Sequence, residues 1–406
     1  MKTILQTIAL QSSITPWFNA ARCLPPLPGI AAVLALMLVT IPARAADSGG
    51  LAAYIGTYTR VKSKGIYLCR FDSNTGAMTA PELAAETASP SFLAISPNHR
   101  FLYAVNEIDS FAGKNAGAVS AFAIDPASGK LIFLNQKTSG GPGPCHLSLD
   151  ASGKHLFVAN YGGGSIEVVP ILGNGGLAEP TIFIQHKGAS RDPGRQGAPH
   201  AHFIVQDPSK HHILAADLGL DKVFFYKYDR RNGLDQKSDP TSAQLASGSG
   251  PRHFGFGKKG RFLYVVNELN STVTVFKYDE RRGVAESLQV LSTLPEGFTG
   301  NNSCAEIAVH PSGKFLYASN RGHNSIASFS IDPADGKLTH IENQSTRGKS
   351  PRSFEIDPSG KWLVAANQDA GNLAVFLIDP DTGKLTPKGP LIEAPAPVCI
   401  KFLSLE

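Results

Sequence analysis

The stretch that decides the fold runs from Pro251 to Glu268 and reads PRHFGFGKKGRFLYVVNE. It contains an alternating strand, a turn rich in glycine and lysine, and an aromatic-aliphatic strand that ends in Asn-Glu. Two such strands joined by a tight turn are typical of an antiparallel sheet. Arg252 and His253 stand where the first strand begins and Glu268 where the second ends, so these residues are either strand-end decoration or part of a site.

The same phrase recurs along the chain, and a shortened copy ends it. The copies begin, at a residue that we call the anchor, with Pro90, Pro144, Pro199, Pro251, Cys304, Pro351 and Pro397. Successive anchors are 54, 55, 52, 53, 47 and 46 residues apart. This period is too long for leucine-rich or helical-pair repeats and predicts the four-stranded blade of a β-propeller. No segment has a sustained 3.6-residue periodicity, so we expect almost no helix.

The two ends of the repeat region complement each other. The last copy, PVCIKFLSLE, holds one strand, whereas the first segment, LAAYIGTYTRVKSKGIYLCRFD, has the later strands of a blade and lacks a first one. One blade shared by both ends closes the ring and leaves no open sheet edge. We therefore predict an all-β domain over residues 46–406, a seven-bladed β-propeller of four-stranded blades whose last blade is shared by N- and C-terminal strands.

Residues 1–45 follow a different pattern. The apolar run GIAAVLALMLVTIP is followed by ARA and then ADSGG, which is typical of a secretory signal peptide and is short for a membrane span. We predict a signal peptide over residues 1–45 and a mature protein that is exported, periplasmic or secreted, and free of the membrane. An uncleaved membrane anchor is the alternative.

Composition gives limited guidance about partners. The net charge of +5 is modest and no block of Lys and Arg occurs, so nothing indicates nucleic-acid binding. Without the leader the chain keeps four cysteines, none of them in a C-x-x-C pair. This sparse pattern favours buried free thiols over a disulfide framework.

The first strand runs away from its anchor and the second returns, so we expect the anchor and the end of the second strand on the same face of the ring. If the first strand is innermost, both lie at the mouth of the central channel. The framework residues of the repeat are constant, but these positions vary. The position after the anchor holds Ser91, Cys145, His200, Arg252, Ala305, Arg352 and Val398, and the end of the second strand holds Glu107, Tyr161, Leu218, Glu268, Arg321, Gln368 and Tyr58. Ionisable residues that converge on a concave mouth predict a polar ligand site. Salt bridges between blades are the alternative explanation.

The segment PHAH raises the question of a metal. His200 and His202 are two apart on a strand, so both point to one side, and histidine pairs bind zinc. No third ligand occurs at a diagnostic spacing, so we predict no metal site. The preceding crossover, HKGASRDPGRQG, is long and carries Arg191 and Arg195, which places Arg195 within reach of a ligand at the mouth.

Several motifs together resemble one family. They are GTYT, PHAH, GSGPRHFGF, YVVNELNSTV, AEIAVHPSGKFLYASNRG and PRSFEIDPSGKWLVAANQ. They resemble the seven-bladed lactonases, the propeller-type 6-phosphogluconolactonases, and are similar to the fungal 3-carboxy-cis,cis-muconate lactonizing enzymes. The resemblance covers about Leu51 to Glu406. It implies that water opens a sugar δ-lactone without a cofactor, at a site formed by His200, Arg252, Glu268 and Arg321, with Arg352 and Gln368 on further family motifs.

These residue types suit that chemistry. Lactone hydrolysis needs an activated water and a stabilised oxyanion. Either Glu268 or His200 could be the general base, with the other as its partner or as the acid on the ring oxygen. His202 remains an alternative to His200, which we prefer because it follows the anchor. Arg252 and Arg321 offer bidentate donors, and the lack of a G-x-S-x-G motif argues against a serine nucleophile.

The sequence thus predicts a monomeric lactonase for a small, anionic lactone, such as 6-phospho-D-glucono-1,5-lactone or a related aldonolactone. Further substrate-binding candidates are His146, Arg195, His202, His253, Glu306, Arg352 and Gln368. Two alternatives use the same mouth: a non-catalytic periplasmic propeller that binds a ligand or a protein, and a muconate-type lactonizing enzyme. Export agrees poorly with a phosphorylated cytosolic metabolite, so the identity of the lactone stays open.

Overall fold

The computed structural model describes residues 50–60 and 62–405. They form seven antiparallel sheets in a ring, which confirms the predicted seven-bladed β-propeller. Six sheets have four strands, and the sheet that begins near Ala201 has five. In the described part of the chain the helices are two short 3-10 turns, Leu218–Leu220 and Lys258–Gly260.

The strands follow the chain in blade order. The first three are β1 (Gly50–Thr57), β2 (Gly65–Asp72) and β3 (Glu82–Glu86). Blade 1 contains β4 (Leu93–Ile95), β5 (Phe101–Asn106), β6 (Ala118–Ile124) and β7 (Leu131–Thr138). Blade 2 contains β8 (Pro144–Leu149), β9 (His155–Asn160), β10 (Ser165–Pro170) and β11 (Ile182–Gln185). Blade 3 contains β12 (Ala201–Gln206), β13 (His212–Asp217), β14 (Lys222–Asp229), β15 (Gly233–Leu234) and β16 (Thr241–Gln244).

The second half of the ring repeats this arrangement. Blade 4 contains β17 (Pro251–Phe256), β18 (Phe262–Asn267), β19 (Thr272–Asp279) and β20 (Val284–Ser292). Blade 5 contains β21 (Ser303–Val309), β22 (Phe315–Arg321), β23 (Ser325–Ile331) and β24 (Leu338–Ser345). Blade 6 contains β25 (Pro351–Ile356), β26 (Trp362–Asn367), β27 (Asn372–Ile378) and β28 (Leu385–Glu393). The last strand, β29 (Pro397–Ser404), pairs with β1 and completes the shared blade of β1 to β3.

The first strand of each blade lines the central channel. These strands (β4, β8, β12, β17, β21, β25 and β29) contact one another in succession, and β29 contacts β4. In the shared blade β1 lies between β2 and β29, with Ala53 opposite Cys69 and Gly56 opposite Cys399. The strand from the C-terminus therefore closes the ring, as the shortened seventh copy predicts.

The core lies between the blades. The second strand of blade 4, β18, is buried at all six positions, and its Tyr264 and Val266 pack with Leu316 and Phe329 of blade 5. A blade covered on both faces needs apolar side chains on both sides of its central strands. The sequences of these strands are therefore nearly continuous apolar runs. The four cysteines in the described residues are buried free thiols, as predicted.

A buried tyrosine on the second strand ties several blades to the next one. The hydroxyl groups of Tyr54, Tyr103, Tyr264 and Tyr317 donate to the carbonyl oxygens of Gly129 (2.7 Å), Gly175 (3.0 Å), Gly336 (3.0 Å) and Gly383 (2.9 Å). Each acceptor lies in the last hairpin turn of the following blade, at a positive φ that favours glycine. In three of these four contacts the acceptor belongs to a Gly-Lys turn, so the recurring Tyr and these turns of the sequence form one contact between blades.

The described residues include no helix long and apolar enough to cross a membrane. The signal peptide predicted over residues 1–45 lies outside the described residues, and it therefore stays a prediction.

We expect Tyr264→Phe to lower the free energy of unfolding by about 1 kcal/mol, because the carbonyl oxygen of Gly336 would stay buried without its donor. Urea denaturation at neutral pH measures the change. Tyr67→Phe is the control, since the hydroxyl of Tyr67 accepts only an exposed bond from the Lys64 amide. Equal stability of the two variants would contradict a role for the contact between blades.

Candidate active site

An irregularity in strand pairing shapes the mouth of the channel. In six of the seven blades the register between the inner strand and its neighbour shifts at or next to the anchor. A β-bulge places an extra residue on one strand and re-aims its side chain. The extra residue is Arg252 in blade 4 and Arg352 in blade 6. The two arginines therefore lie beside the channel.

The register of blade 3 corrects one assignment made from the sequence. Ala201 pairs with Asp217 as Pro251 pairs with Asn267, so His202 occupies the position that Arg252 holds in blade 4. The assignment of His200 to this position is wrong, because the copy that starts at Pro199 is two residues longer than the others.

His200 lies instead at the rim of the mouth. Its ring stacks on Tyr161 with the ring centroids 4.5 Å apart. Its Nδ1 lies 2.9 Å from the carbonyl oxygen of Tyr161. A carbonyl oxygen only accepts, so Nδ1 carries a proton and donates it, which leaves Nε2 as the nitrogen directed away from this bond.

Glu268 is the centre of an arginine cluster. Its Oε2 lies 3.0 Å from Nε of Arg252 and 2.8 Å from Nη2 of Arg321, and its Oε1 lies 2.6 Å from Nη2 of Arg195. The side chains of Arg252 and Glu268 are only 3% and 7% exposed. Arg195 comes from the long crossover before blade 3, as predicted, and its Nη2 also lies 3.3 Å from the hydroxyl of Tyr161.

The inner strand of blade 5 orients two of these arginines. Nη1 of Arg252 donates to the carbonyl oxygen of Ala305 and Nη2 of Arg321 to that of Cys304, both at 2.7 Å. In the described residues, Nε of Arg321 is buried without a hydrogen-bond partner. Both guanidinium groups are therefore fixed by the backbone of blade 5.

The electrostatics of the cluster keep its members charged. Burial raises the pKa of Glu268, but Arg321, Arg252 and Arg195 outweigh it and lower that pKa to about 2. Burial, together with Arg321 and Arg352, lowers the pKa of Arg252 to about 10. At neutral pH one carboxylate thus faces three guanidinium groups, and the mouth is electropositive.

A layer of histidines lies beside the arginine cluster. Nδ1 of His253 lies 2.8 Å from Oε1 of Glu306, and the ring of His253 is 5.1 Å from His202 and 5.6 Å from His146 between centroids. The Ile204 amide donates to Nδ1 of His146 at 3.2 Å, so the proton of its neutral ring is on Nε2.

The histidine layer is uncharged at neutral pH. Burial and nearby cations hold the pKa values of His146, His202 and His253 well below the usual range. Burial raises the pKa of Glu306 to about 7. Within the described residues, Nδ1 of His202 and Nε2 of His253 are buried without hydrogen-bond partners. Buried polar atoms are almost always satisfied, so both nitrogens need a water or a ligand in the channel.

Arg352 and Gln368 come from blade 6 and line a cavity together with Arg321 of blade 5. The guanidinium of Arg352 lies 5.4 Å from the ring centre of Tyr58, whose hydroxyl is 2.9 Å from both carboxylate oxygens of Glu107. Arg352 and Gln368 line two cavities, one of about 1110 Å³ between blade 6 and the shared blade and one of about 470 Å³ between blades 5 and 6.

The structure thus brings the predicted site residues to one end of the channel, in three groups. Arg195, Arg252, Glu268 and Arg321 are joined by ion pairs; His146, His202, His253 and Glu306 form the layer beside them; and Arg352 and Gln368 line the cavities. The sequence did not single out Lys349, which lines the smaller cavity, because crossover loops carry no repeat pattern. No group of three or more His, Cys, Asp or Glu within residues 50–60 and 62–405 is arranged to hold a metal ion.

Comparisons with known proteins agree with this fold. The model of the lactonase family with a seven-bladed β-propeller matches residues 52–402. The 6-phosphogluconolactonase of Bacillus subtilis is 38% identical over 350 residues, which are 86% of this chain and 97% of that protein. The chain therefore belongs to the seven-bladed β-propeller lactonase family.

Solved structures resemble it over nearly the whole propeller. The periplasmic gluconolactonase of Pseudomonas aeruginosa is 35% identical with a TM-score of 0.82, and the alignment covers 88% of this chain and 100% of that one. A Lactobacillus plantarum protein is 33% identical with a TM-score of 0.81, over 87% of this chain and 100% of that one.

We expect Glu268→Gln to lower the free energy of unfolding at pH 7 by about 3 kcal/mol, because the buried guanidinium groups would lose their counter-ion. Since the pKa of Glu268 is below its ordinary value of 4.5, the stabilisation is present above about pH 4.5 and is lost as the pH falls towards 2. Urea denaturation at pH 7 and pH 3 should therefore give a smaller difference at pH 3.

The matched control is Glu107→Gln. Glu107 occupies the same position in blade 1, but hydroxyl groups of Tyr58 and Ser91 bind its carboxylate. Its loss should reduce stability less than the loss of Glu268. A larger effect at Glu107, or no effect of pH on the Glu268 difference, would contradict the assigned electrostatics.

Proposed function

We propose that the protein hydrolyses a sugar δ-lactone to the open-chain acid, with water as the nucleophile, at the mouth of the propeller. The observation that carries this proposal is the cluster of Arg195, Arg252 and Arg321 around Glu268 beside the channel. Fixed guanidinium groups in a partly dehydrated site stabilise the oxyanion of acyl transfer. The relatives named 6-phosphogluconolactonase and gluconolactonase support the same reaction class.

Arg252 and Arg321 are the electrophilic residues in this proposal. Both are held by a carbonyl oxygen of blade 5 and by Glu268, so their orientation is set before a substrate binds. Glu268 keeps them in place rather than acting as the base, because both of its carboxylate oxygens are already bound by guanidinium groups.

His202 is the general base that the geometry supports best. It holds the position of Arg252 in the neighbouring blade, and burial with the charges of Arg252 and His253 keeps its imidazole neutral at pH 7. Its buried Nδ1 has no hydrogen-bond partner in the described residues. His200, which lies at the rim, is the alternative base.

The reaction then proceeds in two steps. His202 takes a proton from water as the water oxygen attacks the lactone carbonyl carbon, and Arg252 and Arg321 stabilise the resulting oxyanion. As the oxyanion collapses, the bond between the carbonyl carbon and the ring oxygen breaks and His202 returns the proton to that oxygen. The product is a hydroxy acid, and the protein is unchanged.

The test compares variants of the two histidines on glucono-1,5-lactone and 6-phosphogluconolactone. We expect His202→Asn to lower kcat about 100-fold, the usual loss of a general base, and His200→Asn to lower it less than tenfold. A pH-stat records hydrolysis above the spontaneous rate. A larger loss for His200→Asn would place the base at the rim.

The same assay decides between the alternative functions. A wild-type protein that opens neither lactone above background but binds a ligand would be a non-catalytic propeller. Formation of a lactone from a muconate-type acid would indicate a lactonizing enzyme. The hydrolase is favoured because the named relatives of high coverage are lactonases.

We also propose that the chain is exported, to the periplasm or outside the cell, and acts there as a monomer on a small molecule, without nucleic-acid or membrane partners. The pattern of residues 1–45 and the periplasmic relative of Pseudomonas aeruginosa support export. The ring closed by β29 and β1 supports a monomer, because every blade already has both neighbours.

Export is tested with a C-terminal tag in a Gram-negative host. The full chain should reach the periplasm as a product shortened by about 45 residues, as a signal peptide of this kind is removed. The control lacks residues 2–45 and should stay in the cytoplasm. Full-length protein in the membrane fraction would support the uncleaved anchor instead.

A further inference from the structure

We propose that a second binding site, for a phosphate group, lies between blades 2 and 3 on the face of the ring opposite the mouth. The cavity there has a volume of about 590 Å³, in the range of small-molecule pockets. Its walls are the turns that join the first and second strands of both blades, together with the end of β14. These turns lie at the far end of the inner strands from the anchors, so the site is separate from the arginine cluster and does not depend on the lactonase function.

The charged lining of this cavity is basic. Lys154, Lys210 and Arg230 line it together with His211, and none of the carboxylates in the described residues does so. The two lysines and the arginine are exposed. Within residues 50–60 and 62–405 their side chains have no ion-pair or hydrogen-bond partner. Lysine and arginine in such a state recognise phosphate groups.

The carboxylates of the two turns, Asp150 and Asp207, are buried and engaged by the fold itself. Asp150 accepts hydrogen bonds from two backbone amides of its turn, both at 2.8 Å, and from the hydroxyl of Tyr228 at 2.7 Å. Asp207 accepts from two amides of its own turn, both at 2.9 Å. These oxygens fix the turns and leave the cations of the lining without a partner.

The backbone of Lys210 is the first sign that this charge has a use. Its φ is +63°, in the left-handed region that favours glycine. A lysine in this conformation is strained, and strained residues are concentrated at functional sites. Blade 1 has His99 at the same position of the turn, and the other four complete blades have a glycine there, namely Gly153, Gly260, Gly313 and Gly360.

Gln206 is the second departure from the repeat. It lies at the end of β12 opposite Ile213. Its Oε1 accepts from the Ala151 amide of blade 2 at 2.8 Å, and in the described part of the chain its Nε2 is buried without a hydrogen-bond partner. The wall of the cavity thus has an unused donor where the fold needs only an apolar side chain. The equivalent residues of five other blades are apolar, namely Ile95, Leu149, Phe256, Val309 and Ile356.

The arrangement of the donors favours phosphate over a carboxylate. Lys154 comes from one turn, Lys210 from the next, and Arg230 from the end of β14. A phosphate group has several oxygens that donors can approach from different sides, whereas a carboxylate has two in one plane. A phosphate monoester also carries roughly two negative charges at neutral pH, which three unpaired cations can balance. Free phosphate, a diphosphate and a small phosphorylated molecule share this chemistry.

The experiment is a calorimetric titration of the purified protein with pyrophosphate at low ionic strength. We expect Lys210→Gly to weaken binding about tenfold, as the loss of one charge-assisted contact would. The same change should not lower the midpoint of urea denaturation, because glycine adopts this φ without strain. Arg230→Glu, which introduces the residue that blade 4 has as Glu280, should abolish measurable binding.

Lys259→Gly is the matched control. Lys259 also has a positive φ, of +67°, in the corresponding turn of blade 4. The cavity that it lines contains three carboxylates, Asp279, Glu280 and Asp335, so its loss should leave pyrophosphate binding unchanged. An equal loss in Lys259→Gly and Lys210→Gly would overturn the proposal, as would the absence of binding to the wild type.

The arginine cluster at the mouth is the other place where pyrophosphate could bind. Binding there would be insensitive to Lys210→Gly and Arg230→Glu, because both changes lie on the opposite face of the ring. Unchanged affinity in these two variants would therefore overturn the proposed site. Hydrolysis of glucono-1,5-lactone, measured in parallel, should be the same in all variants, and its absence would leave the binding result unaffected.

Discussion

Closure of the ring is the constraint on which the rest of the structure depends. Each blade buries both faces against its neighbours, and the apolar clusters found among the described residues are built from neighbouring blades. The pairing of β29 with β1 supplies the last neighbour. Because the inner strands then converge on one channel, residues far apart in sequence, such as Arg195 and Glu268, meet at its mouth. The site is thus a product of closure rather than of any one blade.

Much of the fold and part of the site could be predicted from the sequence. The anchors repeat at nearly constant spacing, so the blades and the positions of Arg252, Glu268 and Arg321 followed from one alignment of the copies. The position of His202 did not, because two additional residues precede the inner strand of blade 3. Lys349 lies in a crossover whose length and residues differ from blade to blade, so the repeat carries no information about it.

The chemistry of Glu268 also depended on the three-dimensional arrangement. As a carboxylate at a mouth, it could equally be a base or a counter-ion. Three guanidinium groups from blades 4 and 5 and the crossover before blade 3 decide between these roles, since they bind both of its oxygens. They also lower its pKa to about 2. The same carboxylate reduces the repulsion between Arg252 and Arg321, and so allows two buried cations to lie side by side where an oxyanion would form.

Because of the bulge at the anchor, the residue that faces the mouth is not one of the residues that hold the blade together. The bulge adds a side chain at the mouth while the pairs on either side of it keep the blade in register. The residue there can therefore change without any adjustment of the apolar positions that hold the blades together. Cys145, Ala305 and Val398 occupy this position in three blades, and their small or apolar side chains mark sites where new ligand contacts could be installed singly. In engineering terms, the ring is a rigid support on which the residue at the mouth can be exchanged in each of the six blades that carry the bulge.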